Sequence, residues 1–172
     1  MTKKELNDLI ITKKLSEAEL EDLIKKYPDK IDWEYVSTDQ TLSESFIEKY
    51  KDKVNWWNIS RYQKLSESFI EKYEDKLIWD SISQYQKLSE NFIEKHKDEV
   101  DWDWVSIYQK LSGSFIEKYQ DKLDWDWICE NQKLSPEFII KNIDKITKFI
   151  FENKHYKNLP ENIKLLLRLK VK

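Results

Sequence analysis

QKLSESFIEKYEDKLIWDSISQY, residues 63–85, decides the fold. Near-copies of it recur at a fixed spacing of 23 residues: QTLSESFIEKYKDKVNWWNISRY from Gln40, QKLSENFIEKHKDEVDWDWVSIY from Gln86 and QKLSGSFIEKYQDKLDWDWICEN from Gln109. A fixed period in this range marks a repeat architecture, in which each unit buries its apolar face only against its neighbours.

Each unit reads as two short helices. In the unit from Gln63, Ser66 is the N-cap of the first (helix A), with Glu67 at the positive end of its dipole. Leu65 and Ile70 have the spacing of a hydrophobic staple, and Leu65, Phe69, Ile70 and Tyr73 form one apolar face. The second (helix B) starts at the residue before tryptophan: Asp32, Asn55, Asp101 and Asp124 suit an N-cap, and Ile78 is the exception. Trp56, Ile59, Ser60 and Gln63, at i, i+3, i+4 and i+7, make one helical stripe. Helices of about eight residues are not stable alone, so stacking must hold them.

Working outward gives one domain, 1–172. Residues 1–15 form an N-terminal cap helix, with Thr2 and Glu5 as a capping box. Residues 16–39 are a divergent first unit in which the Leu-Ser pair is missing from its register, and 40–131 are four regular units. Residues 132–156 are a divergent last unit with Lys148 in the tryptophan register. Residues 157–172 form a C-terminal cap helix, whose Ile163, Leu166, Leu167 and Leu169 close the core. The fold class is all-α: a right-handed α-solenoid of two-short-helix repeats with divergent terminal caps. One Gly and three Pro argue against a β architecture, which needs many special turns.

The column Trp33, Trp56, Trp79, Trp102, Trp125 reads as a stacked structural core rather than a base-stacking ladder. Positions that vary between units on an ordered helix are where a partner is encoded. One, two and five residues after the column tryptophan, helix B carries Trp57, Trp104, Trp127, Arg61 and Ile107 off the core stripe, and six after it Tyr62, Tyr85 and Tyr108 lie off the stripe as well. The first five are the candidate binding surface, since Trp and Arg are over-represented at hot spots. The expected partner is a protein, bound by a non-enzymatic scaffold or inhibitor.

Single-stranded nucleic acid is the alternative, read one base per helical repeat. Against it, the repeats are acidic, and Lys49, Lys72, Lys95 and Lys118 each follow a glutamate that offsets them. A self-assembling structural role, through solenoid ends, is the third reading. Charge is uneven: residues 141–172 hold nine Lys/Arg against three Asp/Glu, a local +6, whereas residues 1–140 carry −9. The basic end reads as a solvated capping segment or, more sharply, as a contact for an acidic partner or for nucleic acid.

Catalysis finds no support in the motifs. No Cys/His metal spacing, phosphate loop or nucleophile elbow occurs, so no cofactor or metal is expected. His96 stands where Tyr50, Tyr73 and Tyr119 stand and reads as a packing substitution. Cys129 replaces Ser37, Ser60, Ser83 and Ser106, which makes it a small buried residue rather than a reactive thiol. A single cysteine, no signal-like start and no run of 18 apolar residues point to the cytoplasm, with no membrane partner.

The consensus QKLSExFIEKYxDKxxWxxIxxY resembles short helical tandem repeats of uncharacterised function in bacteriophages and large DNA viruses. The likeness runs from about Leu20 to Ile146, on the LSExF, DK and W positions. It implies a helical array and a viral source whose partner is a host factor; it supplies no activity and no site residues.

Overall fold

The computed structural model describes residues 1–171. Regular structure among them is all helical: thirteen α-helices, three short 3-10 turns and no strand. The fold is a tandem array of two-helix repeats. It divides into two compact units, Met1–Gln86 and a second from Lys87 on. The first holds α1 (Lys3–Thr12), α2 (Glu17–Lys26), α3 (Trp33–Asp39), α4 (Glu44–Lys49), α5 (Trp56–Tyr62), α6 (Glu67–Lys72) and α7 (Trp79–Tyr85). The second holds α8 (Glu90–Lys95), α9 (Trp102–Tyr108), α10 (Gly113–Lys118), α11 (Trp125–Asn131), α12 (Pro136–Lys141) and α13 (Glu161–Lys170).

Helices this short exist because their ends are capped and their faces stacked. Ser43, Ser66, Ser112 and Ser135 each accept from the backbone N–H of the phenylalanine three residues on, at 3.1–3.2 Å. Asp32, Asn55, Asp101 and Asp124 cap the helices that follow. Helix B then stacks on helix B: α1, α3, α5 and α7 in order in the first unit, α9 on α11 and α11 on the turn Lys148–Phe151 in the second. Fully buried Val36, Ile59, Ile82, Val105 and Ile128 fill the middle of these stacks.

Ile78 gives α7 no side-chain cap, and it is 38 % exposed. Ile78→Asp should therefore stabilise the protein by about 1 kcal/mol, the usual worth of an N-cap. A urea titration showing no gain would mean that the apolar contacts of Ile78 outweigh a cap.

Buried glutamines cross-link successive repeats. Gln63 is 4 % exposed; its Oε1 accepts from Leu42 N at 2.9 Å, while its Nε2 donates to the carbonyls of Ser37 and Gln40 at 2.9 and 2.8 Å. Gln40 makes the same three bonds, to Leu15, Ile10 and Lys13. Gln86 makes them to Leu65, Ser60 and Gln63, and Gln132 to Leu111, Ser106 and Gln109. These bonds satisfy the carbonyls at the end of one helix B and the amide leading into helix A, which otherwise lie buried without partners. A serine column runs beside them: Ser37, Ser60 and Ser106 donate to the tryptophan carbonyl one turn back and accept from the cap amide one repeat on.

One expectation gains its reason and two need correction. The Leu-Ser pair missing from the register of the first unit lies four residues earlier, as Leu15-Ser16: Leu15 N donates to Gln40 as Leu42 N does to Gln63, and Ser16 caps α2. It is out of register because α2 has ten residues where the later helices A have six, and four residues add about one turn without turning the apolar face away. The column tryptophans are half-buried rather than core. The indoles of Trp56, Trp102 and Trp125 lie over the turn between helices A and B, where each Nε1–H donates to a carbonyl five residues back, at 2.9–3.3 Å. One face meets the next helix A, as Trp56 does Phe69 and Tyr73. At the C-terminal end, Ile163 and Leu167 are buried, but Leu169 is 70 % exposed and Leu166 half-buried, because α13 meets the body along one narrow line at the turn Ile143–Lys145.

The last helix B is the 3-10 turn Lys148–Phe151, and Asn153 takes over the glutamine's work, donating to the carbonyls of Cys129 and Gln132. Cys129 is buried, its Sγ accepts from Thr147 N at 3.4 Å as the serines accept theirs, and burial pushes its thiol above the ordinary value. The native protein should thus resist an aromatic disulfide reagent and react only as it unfolds; fast reaction in buffer would show that this stack opens locally.

Candidate interaction surfaces

The buried glutamine at the end of each helix B dictates what is exposed beside it. With Gln63, Gln86 and Gln109 held inward, the tyrosine just before each is turned to solvent: Tyr62, Tyr85 and Tyr108 are 48, 42 and 56 % exposed.

In the first unit these rings meet two of the candidate residues. Trp57 is 47 % exposed and lies 6.4 Å, edge-on, from Tyr62. Arg61, one turn after Trp57, is half-buried among the rings. Its guanidinium carbon is 5.3 Å from the centroid of Trp57, 5.5 Å from Tyr62 and 4.9 Å from Tyr85. Its Nε is buried without a hydrogen-bond partner, and no carboxylate among the described residues pairs with it. The arrangement is an exposed aromatic collar around a cation whose charge is answered only by ring faces, each worth about 0.5–2 kcal/mol.

In the second unit the other three candidates do not form one cluster. Trp104 is half-buried, tilted against Tyr108 at 5.7 Å. Ile107, also half-buried, lines a groove, and Trp127 on α11 is 39 % exposed. The position two after the column tryptophan is not uniformly outward. Asn58 and Ser81 are buried there, and Asn58 Nδ2 donates to the Glu34 carbonyl of the previous helix B. Small side chains at this boundary sink between stacked helices, whereas indoles protrude.

Tyr62, Tyr85 and Tyr108 lie off the core stripe by sequence but were not among the five candidates. The available signal was the unvarying glutamine after them, since a polar residue fixed in every unit is held by something inside.

Helix A offers no comparable surface. Lys49 is answered by Glu21 at 2.6 Å, Lys72 by Glu48 at 2.5 Å and Lys141 by Glu117 at 2.6 Å; Lys118 pairs likewise with Glu94. The partner is thus a glutamate one repeat earlier, not the neighbour in sequence. These lysine bonds hold Glu48, Glu94 and Glu117 below the usual carboxylate range. The lysines that resembled a phosphate track are already spoken for.

No group of three or more metal-ligating side chains occurs among the described residues. His96 is 5 % exposed and packs on Phe92 at 4.5 Å, as the tyrosines in its register pack on theirs. No helix among the described residues is long and apolar enough to cross a membrane. Neither a protein-family model nor a curated protein nor a solved structure matches the chain.

Proposed function

We propose that this chain is a non-enzymatic protein-interaction module, acting as a scaffold or inhibitor on a protein partner through the outward residues of its second helices. The observation that carries the reading is the collar of Trp57, Tyr62 and Tyr85 around Arg61. Trp, Tyr and Arg are the residues enriched at hot spots, and large exposed rings on a rigid helix bind at little entropic cost. The Arg61 guanidinium, half-desolvated and without a carboxylate of its own, is suited to receive one from the partner. A single cysteine, buried and unpaired in a disulfide, supports a reducing compartment, the cytoplasm, as part of this reading.

Affinity capture from lysate of the source cells tests this, with the lysate divided and one half treated with nuclease. The wild-type protein should recover a discrete protein from both halves. Trp57→Ala combined with Arg61→Gln should lose it while its thermal melt stays within a few degrees. Recovery that disappears with nuclease, or survives in the double variant, would overturn the reading.

A further inference from the structure

The second unit carries a site of a different kind. Between the ends of its helices B lies a groove of about 360 Å³, lined by Ile107, Tyr108, Lys110, Lys133, Lys154 and His155 among others. Next to it, sharing Lys133 and His155, is a smaller hollow of about 240 Å³ walled by Leu134, Pro136, Leu159 and Pro160. Among the described residues no carboxylate lines either one, in a chain with 33 Asp and Glu. Lys110, Lys133 and Lys154 are exposed, and none is engaged by an ion pair or side-chain hydrogen bond among the described residues. On helix A of the same unit, Lys118 and Lys141 are both tied to glutamates. The residues from 141 onward add a net charge of +6.

We infer that this groove holds a short acidic segment of the partner, its carboxylates on Lys110, Lys133 and Lys154 and an adjoining apolar side chain in the hollow behind His155. The inference rests on the protein-partner reading and names the chemistry of part of that partner. Charge complementarity selects an anion, because unpaired lysines converging on a concave, carboxylate-free surface raise the local concentration of negative charge. Two features select a peptide over a nucleic-acid strand. The apolar hollow asks for a hydrophobic anchor directly beside the charges. A long polyphosphate, in addition, meets the net charge of −5 that residues 87–140 of the same unit carry, which repels it, whereas a short segment meets the groove alone.

The test uses a fluorescent seven-residue peptide with leucine at its centre and glutamate elsewhere, titrated with the full chain at low and moderate salt. The comparison peptides replace the glutamates by glutamine, or the leucine by serine. The acidic peptide should bind at least about tenfold more tightly than either. Lys110→Gln, Lys133→Gln and Lys154→Gln together should weaken it about tenfold. A charge-matched control, Lys4→Gln, Lys25→Gln and Lys51→Gln, should leave it unchanged. All six lysines are exposed, so the melts should coincide. Equal binding of the glutamine peptide, equal weakening by the control, or tighter binding of a single-stranded oligonucleotide at the same lysines would each overturn the proposal. Because the titration reads the groove directly, its failure leaves the capture experiment on Trp57 and Arg61 to stand or fall separately.

Discussion

Gln63→Leu should lower the unfolding free energy by roughly 3–6 kcal/mol, a large part of what a domain of this size commonly has. Leucine is similar in volume and more apolar, so on hydrophobicity alone the change favours folding at a side chain only 4 % exposed. The prediction has the opposite sign because the amide of Gln63 answers three backbone groups together: the N–H of Leu42 and the carbonyls of Ser37 and Gln40. Removing it leaves all three in a dry seam, at about 1–3 kcal/mol for each unanswered group. Gln63→Glu separates the contributions. A carboxylate still accepts from Leu42 but donates to neither carbonyl, and it brings a charge into the seam, so at neutral pH it should be no better than leucine. Urea unfolding followed by tryptophan fluorescence measures both. A loss below about 1 kcal/mol for Gln63→Leu would mean that water enters the seam and that the glutamine column is not what fixes the spacing of the stack.

That column also shows where reading from sequence stops. The period of 23, both sets of N-caps and the Ile/Val stripe of helix B follow from local rules, and the structure has them where the residues put them. Such rules concern neighbours a few residues apart. The glutamine bonds join residues 21 to 26 positions apart, and a glutamine is counted as polar by any periodicity argument. Its burial shows only once two repeats are stacked. The tryptophans were misplaced for a related reason. A ring with an N–H gains most at an edge where one face packs and the nitrogen finds a carbonyl, and the stripe they share with isoleucine does not distinguish edge from centre. The Leu15-Ser16 pair was legible as a motif but hidden by the extra turn of α2, since a strict 23-residue register looks for it four residues later. Of the five candidate binding residues, Trp57 and Trp127 are exposed, and Arg61, Trp104 and Ile107 are half-buried. The cluster around Arg61 needed Tyr85 from α7, one repeat on, which no single helix displays.

Excising Gln40–Tyr62 should leave a cooperatively folded protein of unchanged helical signal per residue, whereas excising Gln40–Lys51 should destroy the cooperative transition of the first unit. In the longer deletion Asp39 is followed by Gln63, which inherits the bonds of Gln40 to Leu15, Ile10 and Lys13. Ser37 Oγ, which accepts from Asn55 N, accepts from Ile78 N instead, as Ser60 does now. Glu17 receives the amide of Ser66 in place of that of Ser43, and Glu21 receives Lys72 in place of Lys49. Every tie finds the same residue type, because nearest-neighbour interfaces are all that such an array contains, and the cost is one repeat with its one interface. The shorter deletion removes a helix A and the Leu-Ser entry while keeping α5. Its glutamine, Gln63, then has no Leu42 N or Gln40 carbonyl to meet, and the apolar face of α5 has no first helix to close it. Helices of seven residues have no stability to fall back on once stacking fails. Circular dichroism through a thermal melt distinguishes the two products. Similar melts for both would show that the glutamine and serine columns are replaceable and that apolar burial alone sets the register.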